Sequence, residues 1–492
     1  MAIGTLGARL LGAAAAIGLA AGTLAVPAGA AAVTVTCPKV NSITGAVTPP
    51  PHPGVDWRGC DLARADLAKA DLRRAFLKDA NLSQANLDGA DLAKADLKGA
   101  SLSSTFGNPS LTNANLNRAN LTGAYLYEAT LYGTRLVGAN LSGAYLYNAF
   151  LNGTKLASAI LTGANLSYAD SVGGVDMTGA NLSDVNLTLA ALPGTNLTDA
   201  TLTGATVVNA GLKQAILTGA DLGGATISGV SSGGVTGTPA SLPVDWSLRD
   251  GYLIGPDAYL CRARLAGANL TGTDMFGANL LDANLNRARL AGANLASVSS
   301  GGVTGRPASL PADWSLVRGY LTGPDAYLYG ARLAGANLSG TDLSGAYLQN
   351  ATFTNADLAG TQLAGAKLTG VSSGGVTGTP ASLPAADWSL MRGYLIGPAA
   401  NLTGAGLSGL DLANAILAAA NLTSADLTGA NLSGANVGYV NLTDADLAGA
   451  TVTGATFTNV TWNNTTCPDG TNSNQHVNGC FSPLGSAGPA RG

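Results

Sequence analysis

Apolar and polar residues recur along most of this chain with a period of five. In the stretch from 140 to 166, a leucine stands at every fifth position, and a small residue, usually Ala, precedes it by two. Helices repeat every 3.6 residues and flat strands every two, so this pattern indicates neither. It predicts a narrow buried column of leucines whose other neighbours face outward. The leucines assigned to this core are Leu141, Leu146, Leu151, Leu156 and Leu161.

A unit of five residues is too short to fold alone. Burying one leucine contributes about 2 kcal/mol, whereas ordering the backbone costs roughly 1–2 kcal/mol per residue. The units are therefore expected to stack as coils, each stabilised by its neighbours. Gly often follows the leucine by two, as at Gly123, Gly143, Gly163 and Gly219, where a corner is expected to need a positive φ.

The repeated motif, A(N/D)LXX, resembles that of the pentapeptide repeat family. Examples are ADLAKADLRRA from Ala65, ANLTGA from Ala119 and ADLTGANLSGA from Ala425. The resemblance implies an all-β, rod-like fold, a right-handed quadrilateral β-helix with four units in each coil of about twenty residues. Leu would fill the axis, and Ala would occupy the crowded position beside it.

Breaks in the period divide the chain into predicted regions. The first is a secretory signal peptide, in which Arg9 precedes an apolar run and small residues close to Ala32. A retained membrane anchor is the alternative, but Pro27 and the many Ala and Gly residues disfavour a lasting span. The predicted boundaries are 1–32 for the signal, 33–56 for a Cys- and Pro-rich lead-in, 57–229, 260–297, 328–370 and 402–462 for the β-helix, 230–259, 298–327 and 371–401 for three inserts, and 463–492 for a Cys-bracketed tail.

The three inserts are near copies of one another. The first reads VSSGGVTGTPASLPVDWSLRDGYLIGP from Val230, and its Gly/Pro-rich part, SSGGVTGTPASLP, is predicted to leave the shaft as a loop or hairpin. Their tryptophans, Trp246, Trp314 and Trp388, stand seven residues before the Leu of GYL and are predicted to be oversized core residues. The inserts start 68 and 73 residues apart, and the difference is one repeat unit.

Two further tryptophans mark the ends of the repeats. Trp57 and Trp462 stand in register with the neighbouring core positions. They are predicted to plug the two ends, where a stacked core would otherwise meet water. Exposed aromatic binding residues are the alternative interpretation.

The chain has five cysteines, two near each end of the repeats and one within them. In an exported chain, two local disulfides are predicted, Cys37 with Cys60 and Cys467 with Cys480, because each pair brackets a loop-rich end. Cys261 remains, at an outward position, and is predicted to be a free or intermolecularly bridged thiol.

Catalytic and metal-binding chemistry has few candidate residues. The only histidines, His52 and His476, lie outside the repeats, so a His-based triad or a multi-histidine metal site is disfavoured. Regular convex faces offer no cleft for paired carboxylates. In the tail, Asp469, Asn472 and Asn474 suggest calcium, but a turn closed by the neighbouring disulfide is favoured. We expect no enzyme activity, no cofactor and no metal.

Tyrosines repeat with the period of a whole coil. Three pairs stand twenty residues apart and are expected to form short aromatic rows: Tyr125 with Tyr145, Tyr127 with Tyr147, and Tyr327 with Tyr347. Such rows are candidates for binding a flat apolar ligand, a sugar ring or another protein. The alternative is that they stabilise the ladder as cross-strand neighbours do.

Charge is sparse and nearly balanced. Without residues 1–32 the chain has 24 basic and 29 acidic residues, a net charge of −5, which gives no nucleic-acid footprint. By the twenty-residue period, Arg74 lies beside Lys94 and Lys78 beside Lys98. Acidic residues are as frequent in this region, so a solvated mixed-charge surface is predicted there rather than an anion site.

These observations favour a non-enzymatic extracellular scaffold, secreted and held at the cell surface or released, which binds protein or cell-wall polysaccharide. No stable membrane insertion is expected after signal cleavage, and the oligomeric state is not determined. The alternative is an exported effector or enzyme accessory with a site on its inserts. Some members of the family mimic DNA and bind gyrase, but those are acidic rods, usually with a dimerising C-terminal helix. This chain has a predicted export signal, a near-neutral surface and a Cys-bracketed tail.

Overall fold

The computed structural model describes residues 35–103, 110–385 and 387–480. The chain divides after Thr36, and the unit from Cys37 to Gly492 contains the repeats. The predicted signal peptide lies outside the described residues.

The repeats form a right-handed quadrilateral β-helix whose regular coil is twenty residues long. Along each face, a residue pairs in parallel with the residue twenty positions later, as in Asn120 with Asn140 and Tyr125 with Tyr145. Each rung is made by backbone hydrogen bonds between coils: Leu141 N donates to Ile160 O at 2.6 Å and Asn140 N to Ala119 O at 3.0 Å. Because each rung is short, the ladder is stabilised mainly by the column that it encloses.

That column consists of the leucines and alanines of the motif. Leu141, Leu146, Leu151, Leu156 and Leu161 are all 0% exposed, and so are the small residues Ala139, Ala144 and Ala149 between them. A larger side chain at the alanine position would overpack the corner.

The corners explain the Asn or Asp that precedes the leucine. Asn140 Oδ1 accepts from Ser142 N at 3.0 Å and from Ser142 Oγ at 2.7 Å, which closes an Asx turn. The next residue is left-handed, as at Gly143 with φ 62°, and non-glycine residues such as Asn148 adopt the same conformation with φ 56°. The corner therefore requires positive φ, and Gly meets this requirement at the least steric cost.

Outside the rungs, the regular strands are few and short. In the described residues they form four antiparallel two-stranded sheets, each made by two strands that are consecutive in the chain. Within the described residues no helix has the length and apolar character needed to cross a bilayer. The elements are β1 (Lys39–Val40), β2 (Val47–Thr48), β3 (Ser247–Arg249), β4 (Tyr252–Ile254), β5 (Ser315–Val317), β6 (Tyr320–Thr322), β7 (Ser389–Met391), β8 (Tyr394–Ile396), a 3₁₀ turn (Ser473–Gln475) and β9 (Val477–Cys480).

The inserts contain hairpins, but the prediction of which part leaves the shaft is wrong. In the first insert, Ser231, Thr236 and Ser241 pair with the coil below, so SSGGVTGTPASL continues the β-helix on three faces. Val230 and Val235 are 0% and 5% exposed, and their burial holds this Gly/Pro-rich stretch on the coil. The hairpin is the following segment, formed by β3 and β4.

The tryptophans of the inserts also differ from their prediction as core residues. Trp246, Trp314 and Trp388 are only half-buried. Each indole lies against a glycine, so that a Cβ at Gly255 would be 2.2 Å from Trp246 Cδ2 and one at Gly397 would be 2.3 Å from Trp388 Cδ2. The core position is occupied instead by the Leu of GYL, as at Leu253, which is 0% exposed.

Two of these tryptophans, Trp314 and Trp388, join successive segments of the core. Buried residues fall into separate clusters that meet at the inserts, one of them ending at Leu321 and the next beginning at Ala326. Trp314 packs against both of these clusters, and Trp388 packs against the clusters on either side of the third insert. The tryptophans therefore cover the seams where the regular column is interrupted.

The pairing between coils also shows on which face of the β-helix each insert lies. Ser231 of the first insert and Ser299 of the second lie on one continuous column, through Tyr259 and Asn279. Ser372 of the third insert lies on the next column, which includes Thr352. The additional repeat unit before the third insert therefore turns it by one face relative to the other two.

Disulfides and tryptophans lie at both ends. Cys37 is joined to Cys60, and Cys467 to Cys480. Trp57 is 3% exposed, whereas Trp462 is half-buried and packs against the last core cluster. Cys261 is free and partly buried.

The C-terminal loop is a closed turn. Asp469 Oδ1 accepts from Thr471 N at 3.0 Å, and Asn472 Oδ1 accepts from Asn474 N at 2.9 Å. Asn464 N donates to Asn474 Oδ1 at 3.1 Å. The side-chain oxygens considered for calcium are therefore used by the loop backbone.

Candidate binding surface

The tyrosines of two successive coils form the most aromatic surface among the described residues. Tyr125 and Tyr145 are on one face, and Tyr127 and Tyr147 are at the corner that follows it. Tyr125, Tyr127 and Tyr145 are 49%, 39% and 48% exposed, whereas the Tyr147 side chain is half-buried. We call these residues, with the three aromatic neighbours described below, the tyrosine surface.

The rings of each row stack face to face. The centroids of Tyr125 and Tyr145 are 5.1 Å apart with planes 5° from parallel, and those of Tyr127 and Tyr147 are 5.3 Å apart at 2°. Coplanar rings side by side cannot approach so closely, so each ring covers the face of its neighbour. Each ring therefore has one face covered by its row partner, which favours contact with a polar polymer or a protein through ring edges and hydroxyls over stacking on a broad ring face.

Three further aromatic residues extend this surface and were missed by the twenty-residue rule. Tyr168 packs against Tyr147 with ring centroids 5.2 Å apart and planes tilted by 49°, because it stands 21 residues later and one position further around the corner. Tyr132 contacts Phe150 edge to face at 6.3 Å. A search of the sequence for aromatic residues at spacings of 18 and 21 would have found them.

One phenol of the surface has a shifted pKa. Partial burial raises the pKa of Tyr127, and the neighbouring Glu128 carboxylate raises it further. The raised pKa reflects a hydroxyl whose proton is held toward the Glu128 carboxylate.

The second predicted group, Tyr327 with Tyr347, is less open. Their centroids are 5.9 Å apart, and Lys367 Nζ lies 3.8 Å above the Tyr347 ring. Tyr327 also stacks against Tyr329, whose hydroxyl accepts from Asn350 Nδ2 at 2.8 Å. Both faces of Tyr347 are therefore occupied by the protein itself.

The tyrosine of each insert hairpin, and a serine of the coil that precedes it, form hydrogen bonds within the structure. In the first insert, Tyr252 Oη accepts from Arg264 N at 2.8 Å and Ser232 Oγ accepts from Leu253 N at 2.9 Å. The other two inserts repeat both contacts. These tyrosines satisfy a backbone donor that has lost its partner in the coil below, which is a structural role that the sequence pattern did not reveal.

No cluster of metal-ligating side chains occurs in residues 35–103, 110–385 and 387–480. His52 Nδ1 contacts Pro53 O at 3.1 Å, and His476 Nε2 contacts Thr471 Oγ1 at 2.8 Å. Both contacts are local, and neither histidine is set against a nucleophile activated by a further base.

Comparison with known proteins identifies the repeat. The family model described as pentapeptide repeats (8 copies) matches well over half of the chain. The intervals between the matches include all three hairpins. No curated protein matches the chain. The matched residues are 53–79, 77–106, 110–143, 139–170, 172–199, 195–231, 257–292, 326–371, 400–437 and 425–461.

Several solved structures are similar to parts of the chain. HetL from the cyanobacterium Nostoc sp. strain PCC 7120, a pentapeptide repeat protein involved in heterocyst differentiation regulation, is 33% identical over 39% of this chain and 91% of its own, with a TM-score of 0.17. A pentapeptide repeat protein from the Arabidopsis thaliana thylakoid lumen is 27% identical over 23% of this chain and 69% of its own, with a TM-score of 0.16. QnrB1, a plasmid-mediated fluoroquinolone resistance protein, is 19% identical over 38% of this chain and 91% of its own, with a TM-score of 0.25.

Proposed function

Because the chain belongs to the pentapeptide repeat family, and its β-helix is a scaffold for outward side chains, we propose that it is a non-enzymatic extracellular binding protein. The tyrosine surface is its contact site for cell-wall polysaccharide or a surface protein. The observation that carries this proposal is the paired stacking of Tyr125 on Tyr145 and Tyr127 on Tyr147. Stacking fixes the rings, so little side-chain entropy is lost when a partner binds.

The exposed part of this surface suits a polar polymer or a protein. Ring edges and hydroxyls face outward, which is the amphipathic character that makes Tyr frequent in interfaces. The inserts are weaker candidates for the site, because Tyr252 and Ser232 are used in internal hydrogen bonds. The disulfides Cys37–Cys60 and Cys467–Cys480 support an oxidising compartment such as the cell exterior.

A co-sedimentation assay tests the binding half of the proposal. Purified protein is mixed with peptidoglycan, cell-wall polysaccharide or intact cells, and the bound fraction is measured. Tyr145→Ser with Tyr147→Ser is expected to lower retention on at least one of these, whereas Tyr439→Ser, 66% exposed and outside the surface, is not. Equal retention of both variants, or no retention of the unmodified protein, would contradict the proposal.

Cell fractionation tests the location. The protein is expected in the medium or on the cell surface, where added protease reaches it, and the four half-cystines are expected to be oxidised. Recovery only from the cytoplasm with reduced thiols would contradict an extracellular role.

A further inference from the structure

Five successive coils each contribute one cation to the same side of the β-helix. Arg74, Lys94 and Arg118 occupy the same corner of successive coils. Arg74 N donates to the carbonyl of Ala93, the residue before Lys94, and Lys94 N donates to the carbonyl of Asn117, the residue before Arg118. Arg135 and Lys155 continue the series on the adjoining face, where pairing runs from Asn115 to Arg135 to Lys155. We call these five residues the basic stripe; only its first two members were paired by the sequence period.

A different arginine pairs with two of the acidic residues beside the stripe, Asp71 and Asp91, whereas Asp176 follows Lys155 on the same column of the ladder. Arg73 Nη2 is 2.6 Å from Asp71 Oδ2, and Arg73 Nε is 3.8 Å from Asp91 Oδ2. The hydrogen bond from Arg73 lowers the pKa of Asp71, which keeps that carboxylate ionised and paired. In the part of the chain that the structure describes, no stripe cation lies within 4.0 Å of a carboxylate. The mixed-charge surface stays a prediction, and the basic stripe is a row of cations within it that form no ion pair of their own among the described residues.

The stripe has the dimensions of a polymer site. Five coils span four intervals, or about 19 Å at ~4.8 Å per layer. Its lower end opens into a shallow cleft of about 570 Å³ lined by Pro53, Gly54, Arg74 and Lys94 among others. Higher up, the Arg118 stem lies over Gly138, where a Cβ would be 3.6 Å from Arg118 Cγ, so Gly138 adds no side chain beside the stem and Val137 is the exposed side chain of that corner.

We propose that the basic stripe binds a linear acidic polysaccharide, with carboxylates spaced along the chain facing successive cations. The two asparagines beside the cations serve the β-helix itself, since Asn115 Nδ2 donates to Asp91 Oδ1 at 3.0 Å and Asn117 Oδ1 accepts from Val137 N at 2.9 Å, so the cations are the groups that would contact the polymer. A single-stranded nucleic acid fits less well, because base stacking needs open ring faces and the five stripe residues include no aromatic side chain. The row of Tyr125 and Tyr145 lies on the opposite face of the coil from Arg135 and Lys155. This inference rests on the proposed extracellular function and names one ligand class for it.

The test uses the full protein and polygalacturonate as the probe. Fully methyl-esterified polygalacturonate is the uncharged control, and oligothymidylate is the competing polyanion. The stripe variant changes Lys94, Arg118, Arg135 and Lys155 to Gln; Gln already occupies the same left-handed corner position at Gln84 and Gln214, with φ 62° and 59°. The matched variant makes the same charge change away from the stripe, with Gln at four exposed arginines: Arg264, Arg287, Arg289 and Arg332.

We expect polygalacturonate to bind the unmodified protein and the matched variant alike, and the stripe variant at least about tenfold more weakly, with affinity falling as salt rises. The methyl ester should not bind. Equal loss in both variants, binding of the ester, or tighter binding of oligothymidylate would overturn the inference. If cell-wall material is retained through Tyr145 and Tyr147 while polygalacturonate is not bound, the inference fails and the proposed function stands.

Discussion

The contact between Trp388 and Gly397 allows the role of the inserts to be tested with one methyl group. A Cβ at Gly397 would lie 2.3 Å from Trp388 Cδ2, 2.5 Å from Cε3 and 2.7 Å from Cε2. Ordinary contact begins near 3.4 Å, so the indole would have to move by 3.4 − 2.3 = 1.1 Å. Gly397 does not have a left-handed φ, so the effect is steric and not conformational.

We expect Gly397→Ala to lower the free energy of unfolding by about 2 kcal/mol, the usual cost of overpacking a close contact. Urea unfolding followed by Trp fluorescence and circular dichroism measures it. Gly406→Ala is the control close to the same insert. A Cβ at Gly406 would meet only Tyr394 Oη, at 3.9 Å, and Gly406 also lacks a left-handed φ. That variant is expected to stay within about 0.5 kcal/mol of the unmodified protein.

A double-mutant cycle makes the reasoning refutable. If the indole causes the penalty, Gly397→Ala should cost at least about 1 kcal/mol less in a Trp388→Ala background than in the unmodified protein. Equal penalties in both backgrounds, or equal effects of Gly397→Ala and Gly406→Ala, would show that the tryptophan is not held against this glycine.

Three other substitutions probe the core, the hairpin and the corners. Leu146→Asp places an unpaired charge at a 0% exposed site and should cost more than about 3 kcal/mol, whereas Tyr147→Ser should cost less than about 1 kcal/mol; similar melting temperatures would contradict the inward and outward assignment. Tyr394→Phe removes the acceptor of a backbone N–H, so that amide should exchange faster and stability should fall by about 1 kcal/mol, and unchanged exchange would argue against the contact. The hydrogen bond from the Thr428 hydroxyl lowers the pKa of Asp426 from its ordinary value of 3.8. The stability that this hydrogen bond contributes is therefore present above pH 3.8 and is lost as the pH falls through the lower pKa of the folded protein. Thr428→Ala should raise the pKa of Asp426, which an NMR titration measures.

The regular part of the fold could be read from the sequence because its interactions are local and repeated. Leu146 and Leu151 have the same surroundings one unit apart, so the period of five identifies the buried position, and the resemblance supplies the four-sided coil. The two terminal cysteine pairs each bracket a short segment, so their pairing required no knowledge of distant contacts. The tyrosine pairs followed once a coil of twenty residues was assumed.

Tertiary structure decided everything in which distant residues compete for one position. Trp246 matched the core pattern, yet the hairpin supplies Leu253 to the column and leaves the indole against Gly255. Some coils are longer than twenty residues, such as the one between the paired residues Ser231 and Tyr259. The position of these longer coils determines both the continuity of the basic stripe and the face on which the third insert lies. A period along the chain specifies neighbours one coil away, whereas these features depend on offsets that accumulate over many coils, and only the pairing between coils determines them.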